Sequence, residues 1–208
     1  MPQATMQALR YHRVIHHVIL EQLRSGNKVA LRISGKSMQP LIKEGALVSV
    51  EACDPEYLSM GDIVTFERDD LSVTHRVLWV MRRSNGTIVR TKGDNEVIID
   101  RPVSTDQVIG KVVAIKRGNQ ILRLNNPSWR VLNRLLGMAF LMETISILLY
   151  RFTLKRIIPR GQPVHTALKP PHLYRRFRTR GLSFATRIIA SFHPPGNCNT
   201  VTPQSNKE

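Results

Sequence analysis

Between Lys28 and Leu124 the chain is a succession of short apolar runs interrupted by turn residues, a pattern that leaves little room for long helices. The runs Lys28 to Ile33, Leu47 to Val50, Ile63 to Phe66, Leu71 to Val80, Ile88 to Thr91, Val108 to Ile115 and Ile121 to Leu124 are rich in β-branched residues. Gly45, Gly61-Asp62, Asp69-Asp70, Asn85-Gly86 and Gly118-Asn119 punctuate them. Alternating runs bounded by glycine, aspartate and asparagine are strand and hairpin signals, and many at close spacing predict a mainly β domain with a curved sheet. Leu41-Ile42 and Leu47 to Val50 are expected to form a hairpin around Gly45, and Asn85-Gly86 to be the tip of another.

Within that frame Ile33-Ser34-Gly35-Lys36-Ser37-Met38-Gln39-Pro40 places a serine on a sharp turn, with Gly35 before it and Pro40 after it. A serine hydroxyl is a weak nucleophile unless a base takes its proton and a further group orients that base. His75 in Val73-Thr74-His75-Arg76-Val77 is the candidate base, since a side chain titrating near neutral pH suits serine activation. Strand alternation sets Val73, His75 and Val77 on one face and Thr74, Arg76 and Leu78 on the other. Asp94, in Gly93-Asp94-Asn95, and Asp100 are the candidate acids, completing a Ser-His-Asp order. Asp94 also reads as an aspartate that caps its own turn. Lys36, next to Ser37 on a tight turn, is expected to point into solvent.

The series GKSMQP, KEGALVSV, GDIVTF, VTHRV, TKGDNEVIID and VIGKVV, in that order and spacing, resembles the catalytic domain of type I signal peptidases. It is most similar to the archaeal and endoplasmic-reticulum branch, in which histidine stands where bacterial relatives have a lysine base. The likeness covers roughly Lys28 to Lys116 and implies a coiled β-sheet peptidase domain of the signal peptidase and LexA type. It also implies the roles: Ser37 as nucleophile, His75 as base, Asp100 as the carboxylate on the second ring nitrogen, and Asp94 as support. Signal peptidases of this kind carry a serine two residues before the nucleophile; here that position is Gly35, and the Ser34-Gly35-Lys36-Ser37-Met38 spacing is closer to self-cleaving LexA-type repressors. The oxyanion is therefore assigned to the backbone N–H groups of Lys36 and Ser37. The implied activity is a serine endopeptidase acting on protein or peptide. A non-secretory or self-processing peptidase, or a catalytically idle peptide-binding module, is the competing expectation. The 27 residues before Lys28 are too few for a repressor's helix-turn-helix module.

Four segments are expected: an amphipathic helix in 1–27, the peptidase domain in 28–125, an apolar helix in 126–158, and a basic, largely disordered tail in 159–208. In the first, Met6, Leu9, Val14, Ile15, Val18, Ile19 and Leu23 recur at helical spacing, and His16, His17 and Glu21 interrupt the run too often for a secretory signal. Cys53 and Cys198 make no disulfide framework, no Cys/His pair has metal-ligand spacing, and no cofactor is implied.

Of the net charge of +16, residues 151–208 carry +10, from 11 basic and 1 acidic side chain. This suits an anionic membrane surface; nucleic acid is disfavoured because no recognition motif accompanies the charge. Tyr174 to Ile189 interleaves apolar residues with five arginines, a basic amphipathic pattern. Leu135 to Tyr150 holds Glu143 as its one charge but is shorter than the roughly 20 residues that cross a bilayer. The expectation is a membrane-associated protein with its catalytic domain on the cytoplasmic side. A C-terminally anchored integral membrane protein is the alternative.

Overall fold

The computed structural model describes residues 15–157 apart from 16, 70, 85, 118 and 119, so the basic Tyr174 to Ile189 patch lies outside the described residues. A helix, α1, runs through 17–24 and is closed by Ser25 and Gly26, whose N–H groups donate to Glu21 and Leu23 carbonyls. Gly26 has φ +78°, the left-handed conformation that ends helices. The strands follow: β1 Val29–Arg32, β2 Leu47–Glu51, β3 Ile63–Arg68, β4 Leu71–Arg83, β5 Gly86–Lys92, β6 Val103–Ser104, β7 Val108–Arg117 and β8 Gln120–Arg123. A long helix, α2, spans Pro127–Ile157. The strands form one sheet in the order β1-β2-β7-β3-β4-β5-β6, with β8 on β7, and these neighbours pair antiparallel.

Two details differ from the sequence reading. β2 pairs with β1 and β7, whereas Leu41 and Ile42 follow a helical turn closed by the Ile42 N–H donating to the Met38 carbonyl. Tertiary burial explains this, because Met38, Leu41 and Ile42 are wholly buried in the main core and a strand would turn alternate residues outward. At the other tip Gly86 pairs with Arg83, so glycine opens β5 instead of completing the turn.

The sheet is covered on both faces where it matters for chemistry. On β3, Ile63 joins the core formed with Ile19, Leu23, Met38, Leu41 and Trp129, while Val64 and Phe66 join a second cluster with Val77, Val89 and Leu58. A strand buried on both faces reads as a continuous apolar run, as Ile63-Val64-Thr65-Phe66 does. The third cluster is Leu78 with Leu136 and Phe140, and it seats α2 on β4. The inward residues Trp129, Asn133, Leu136, Gly137, Phe140 and Thr144 recur at helical spacing.

Helix and sheet meet through backbone at one point. A Cβ added to Gly61, which has φ +91°, would lie 2.2 Å from the Asn133 carbonyl oxygen, and one on Gly137 would lie 3.0 Å from the Gly61 nitrogen. Gly61→Ala therefore combines left-handed strain with overpacking, each costing on the order of 1–3 kcal/mol. Urea unfolding is expected to show a loss of about 3 kcal/mol or more; an unchanged midpoint would mean that α2 does not sit on Gly61 in solution.

Candidate active site

The loop between β1 and β2 carries Ser37. Its neck is pinched by two bonds: the Ile33 N–H donates to the Ala46 carbonyl at 2.9 Å, and the Gly45 N–H to the Ile33 carbonyl at 2.7 Å. Met38, Leu41 and Ile42 then anchor the loop in the core, leaving Ser37 half-buried at its edge. Lys36 points outward, 71% exposed and 3.6 Å from the Glu44 carboxylate, so it does not reach back to its neighbour's hydroxyl. Among the described residues the N–H groups of Lys36 and Ser37 and the Ser37 hydroxyl enter no hydrogen bond.

The turn after β5 supports this loop from the side. The Asn95 N–H donates to the Ser37 carbonyl at 2.6 Å, and the Asn95 side-chain amide donates to the Lys36 carbonyl at 3.3 Å. A Cβ on Gly93 would lie 2.9 Å from the Ser37 carbonyl oxygen and 3.0 Å from its Cβ. Glycine is required there because the turn and the serine loop touch.

His75 is buried on β4, between Val64 across the β3 pairing and the edge of the Phe66 ring. Its Nδ1 lies 2.6 Å from Asp100 Oδ2. A carboxylate can only accept, so Nδ1 carries a proton, and in the neutral form of the ring Nε2 holds the lone pair. Asp100 returns to this place after an excursion from β5, its N–H donating to the Thr91 carbonyl at 2.9 Å. The Thr91 hydroxyl also donates to Oδ2 at 2.7 Å, and Arg68 Nη2 sits 2.9 Å from Oδ1, in ion-pair contact but off the hydrogen-bond line. Burial pushes the Asp100 carboxyl upward, but the hydrogen bond and charge of His75, with Thr91 and Arg68, outweigh it and hold the carboxyl below its ordinary value.

Asp94 is placed differently. Both its oxygens are taken by Arg76, with Nε donating to Oδ1 at 2.8 Å and Nη2 to Oδ2 at 2.7 Å, and both side chains are fully buried. Arg76 Nη1 also donates to the Gly61 carbonyl at 2.9 Å and to Asn133 Oδ1 at 2.8 Å. His75 and Arg76 thus leave β4 on opposite faces, one toward Asp100 and the other toward Asp94 and α2.

Among the sequence candidates, the structure brings Asp100 to His75, and Asp94 to the turn that supports Ser37. It draws no hydrogen bond between Ser37 and His75, although Gly93, which touches Ser37, follows Lys92, and Lys92 pairs with Arg76 beside His75. Sequence reading missed Thr91, Arg68 and Asn133. Thr91 gave no signal: the regular register from Arg83–Gly86 to Trp79–Arg90 would set it opposite Leu78, and only the irregularity between Val77 and Trp79 brings it opposite Val77, on the face of His75. Cys53 packs against the Val64 and Phe66 cluster, and burial pushes its thiol up to about 11, so the thiolate needed for attack is scarce at neutral pH. Among the described residues no group of three or more His, Cys, Asp or Glu side chains is arranged to hold a metal ion.

A half-buried serine on a glycine-supported loop and a buried histidine–aspartate pair, joined by one coiled antiparallel sheet, define the architecture of the signal peptidase and LexA-like superfamily. The chain belongs to the Peptidase S24-like family, whose family model matches residues 2–113. It is similar to signal peptidase I W of Bacillus subtilis (strain 168), with 32% identity over 104 residues, covering 46% of this chain and 55% of that protein. The chain thus matches about half the length of this relative, and the match to the family ends before α2 begins.

Because the Asp100 carboxyl titrates lower in the native state than in the unfolded chain, it stabilises the fold at pH values above the unfolded value of about 3.9. That contribution is lost as pH falls further, through the native value. The stability difference between wild type and Asp100→Asn, followed by urea unfolding, is expected to be largest near neutrality and to shrink below about pH 4. A difference independent of pH would mean that Asp100 is not held as a carboxylate by its neighbours.

Proposed function

We propose that the protein is a serine endopeptidase of the signal-peptidase-like type, using Ser37, His75 and Asp100. The buried 2.6 Å contact between His75 Nδ1 and Asp100 Oδ2 carries this reading, because it fixes the imidazole with Nε2 free to accept a proton. Substrate binding brings Ser37 Oγ and Nε2 together, a contact that often tightens only in the complex. Nε2 takes the hydroxyl proton as Oγ attacks the scissile carbonyl, and the oxyanion is received by the N–H groups of Lys36 and Ser37. The imidazolium returns its proton to the leaving amine, leaving an acyl group on Ser37. Water, deprotonated by the same Nε2, then releases the new C-terminus. Asp100 stays ionised throughout and stabilises the imidazolium. The proposed substrates are proteins cut at a signal peptide, supported by the similarity to signal peptidase I W.

Ser37→Ala is expected to lower cleavage of a precursor protein by about 10³-fold or more with little change in melting temperature. Wild-type turnover in that variant would remove Ser37 from the mechanism. His75→Lys is expected to be inactive as well, because Asp100 would keep the amine charged. Retained activity with a pH optimum moved upward would place the site in the lysine-using class.

We also propose that the domain meets a membrane through the outer face of α2. Pro127–Tyr150 is long and apolar enough to cross a bilayer by length and composition. However, Asn133, Leu136, Phe140 and Thr144 are buried against the domain, and Glu143 bonds to Lys92. A helix keeping those contacts presents only its other side, where Leu135, Met138, Met142, Ile145 and Leu149 are exposed. A surface-lying helix is the arrangement that satisfies both faces. Met142→Glu combined with Leu149→Glu is expected to weaken co-sedimentation with anionic liposomes at least about tenfold, while cleavage of a soluble peptide is unchanged. Undiminished liposome binding by the double variant would exclude this face as the contact.

A further inference from the structure

The match to the family ends at residue 113, yet α2 reaches back and holds both ends of the turn on which the serine loop rests. At one end Lys92, 1% exposed, donates to Glu143 Oε2 at 2.5 Å and lies over the Phe140 ring. At the other end Asn133 Oδ1 accepts from Arg76 Nη1, whose guanidinium grips both oxygens of Asp94. Between Lys92 and Asp94 stands Gly93, in contact with Ser37, and next comes Asn95, which donates to the Ser37 carbonyl. A continuous chain of short contacts therefore runs from α2 to the nucleophile.

From this we infer that α2 is a positioning element of the catalytic site, and that Asn133 and Glu143 set the Lys92 to Asn95 turn against which Ser37 is aligned. Neither residue reaches the reacting atoms. Each acts through a buried cation that has a carboxylate or amide to answer it, and a buried cation left without its partner shifts position or takes up water. Fine misplacement of a nucleophile lowers the rate of the chemical step more than it weakens binding. Arg76 retains Asp94 and the Gly61 carbonyl when Asn133 is changed, so the effect is a loss of alignment of the turn and not loss of the fold.

The inference rests on the reading of Ser37 as nucleophile, and the test separates the two. Full-length Asn133→Leu, Asn133→Asp, Glu143→Gln and Ser37→Ala proteins are compared for kcat and KM on one soluble peptide, with thermal melting in parallel. Asn133→Leu keeps the side-chain size without the acceptor and is expected to lose about 30-fold in kcat, with KM within about twofold. Asn133→Asp keeps an acceptor oxygen toward Arg76 and is expected to recover to within about threefold of wild type. Glu143→Gln keeps an acceptor for Lys92 and is expected to lose less than Asn133→Leu. A kcat per folded molecule unchanged in Asn133→Leu, with any lost activity following the folded fraction, would overturn the inference while leaving Ser37 in place. Equal loss in Asn133→Leu and Asn133→Asp would overturn it too, because restoring the acceptor would then restore nothing. Should Asn133→Leu fail to fold, Glu143→Leu, which removes the carboxylate that accepts from Lys92, carries the test with an expected loss of about tenfold or more in kcat, and an unchanged kcat per folded molecule in that variant would overturn the inference. Wild-type cleavage by Ser37→Ala would instead remove the reading on which the inference stands.

Discussion

Arg76 is the residue on which the arrangement depends. Its guanidinium is fully buried, and burying a charge in a protein interior is costly unless the charge is paired and its donors are used. Asp94, the Gly61 carbonyl and Asn133 supply those partners from three separate parts of the chain. Each partner is thereby fixed: Asp94 shapes the turn beside Ser37, Gly61 opens β3, and Asn133 seats α2. Removing the Asp94 carboxylate from its ion pair with Arg76 is strongly destabilising, on the order of 3–5 kcal/mol, even where the intact pair contributes little net stability. The pair thus acts chiefly as a registration device, holding loop, strand and helix in one geometry.

The same strand serves the chemistry on its other side. His75 and Arg76 are neighbours, so a strand's alternation sends one toward Asp100 and the other toward Asp94. Rigidity gained on the Arg76 face is transmitted to His75 without any further contact, because both side chains rise from one hydrogen-bonded backbone. Phe66 and Val64 close the His75 face to water, which strengthens the electrostatic hold of Asp100 on the imidazole.

Much of this was legible in the sequence, and the exceptions have physical causes. Alternation identified the strands and placed His75 and Arg76 on opposite faces, since period two is a local property. Leu41-Ile42 misled because an apolar pair beside a glycine turn fits a strand end as well as a buried helical turn, and only the burial of Met38 with them decides. The candidate acids were visible as Asp94 and Asp100, and the resemblance assigned Asp100 to His75, but the Arg76 partner of Asp94 and the Arg68 and Thr91 partners of Asp100 were not, because they come from separate strands. Asn133 gave no signal at all. A single amide in an apolar run reads as an interruption until the helix is seen to lie over Arg76.

α2 unites the two halves of this account, one face supporting the catalytic turn and the other presenting exposed apolar side chains. The central claim remains covalent catalysis by Ser37, and the most direct measurement is acid quenching during turnover of a peptide substrate, followed by mass mapping of the protein. The account predicts an acyl group carried by the peptide containing Ser37, absent from a His75→Ala protein treated alike. An acyl group on another residue, or turnover at steady state with no acyl-enzyme on Ser37 at any quench time, would contradict it.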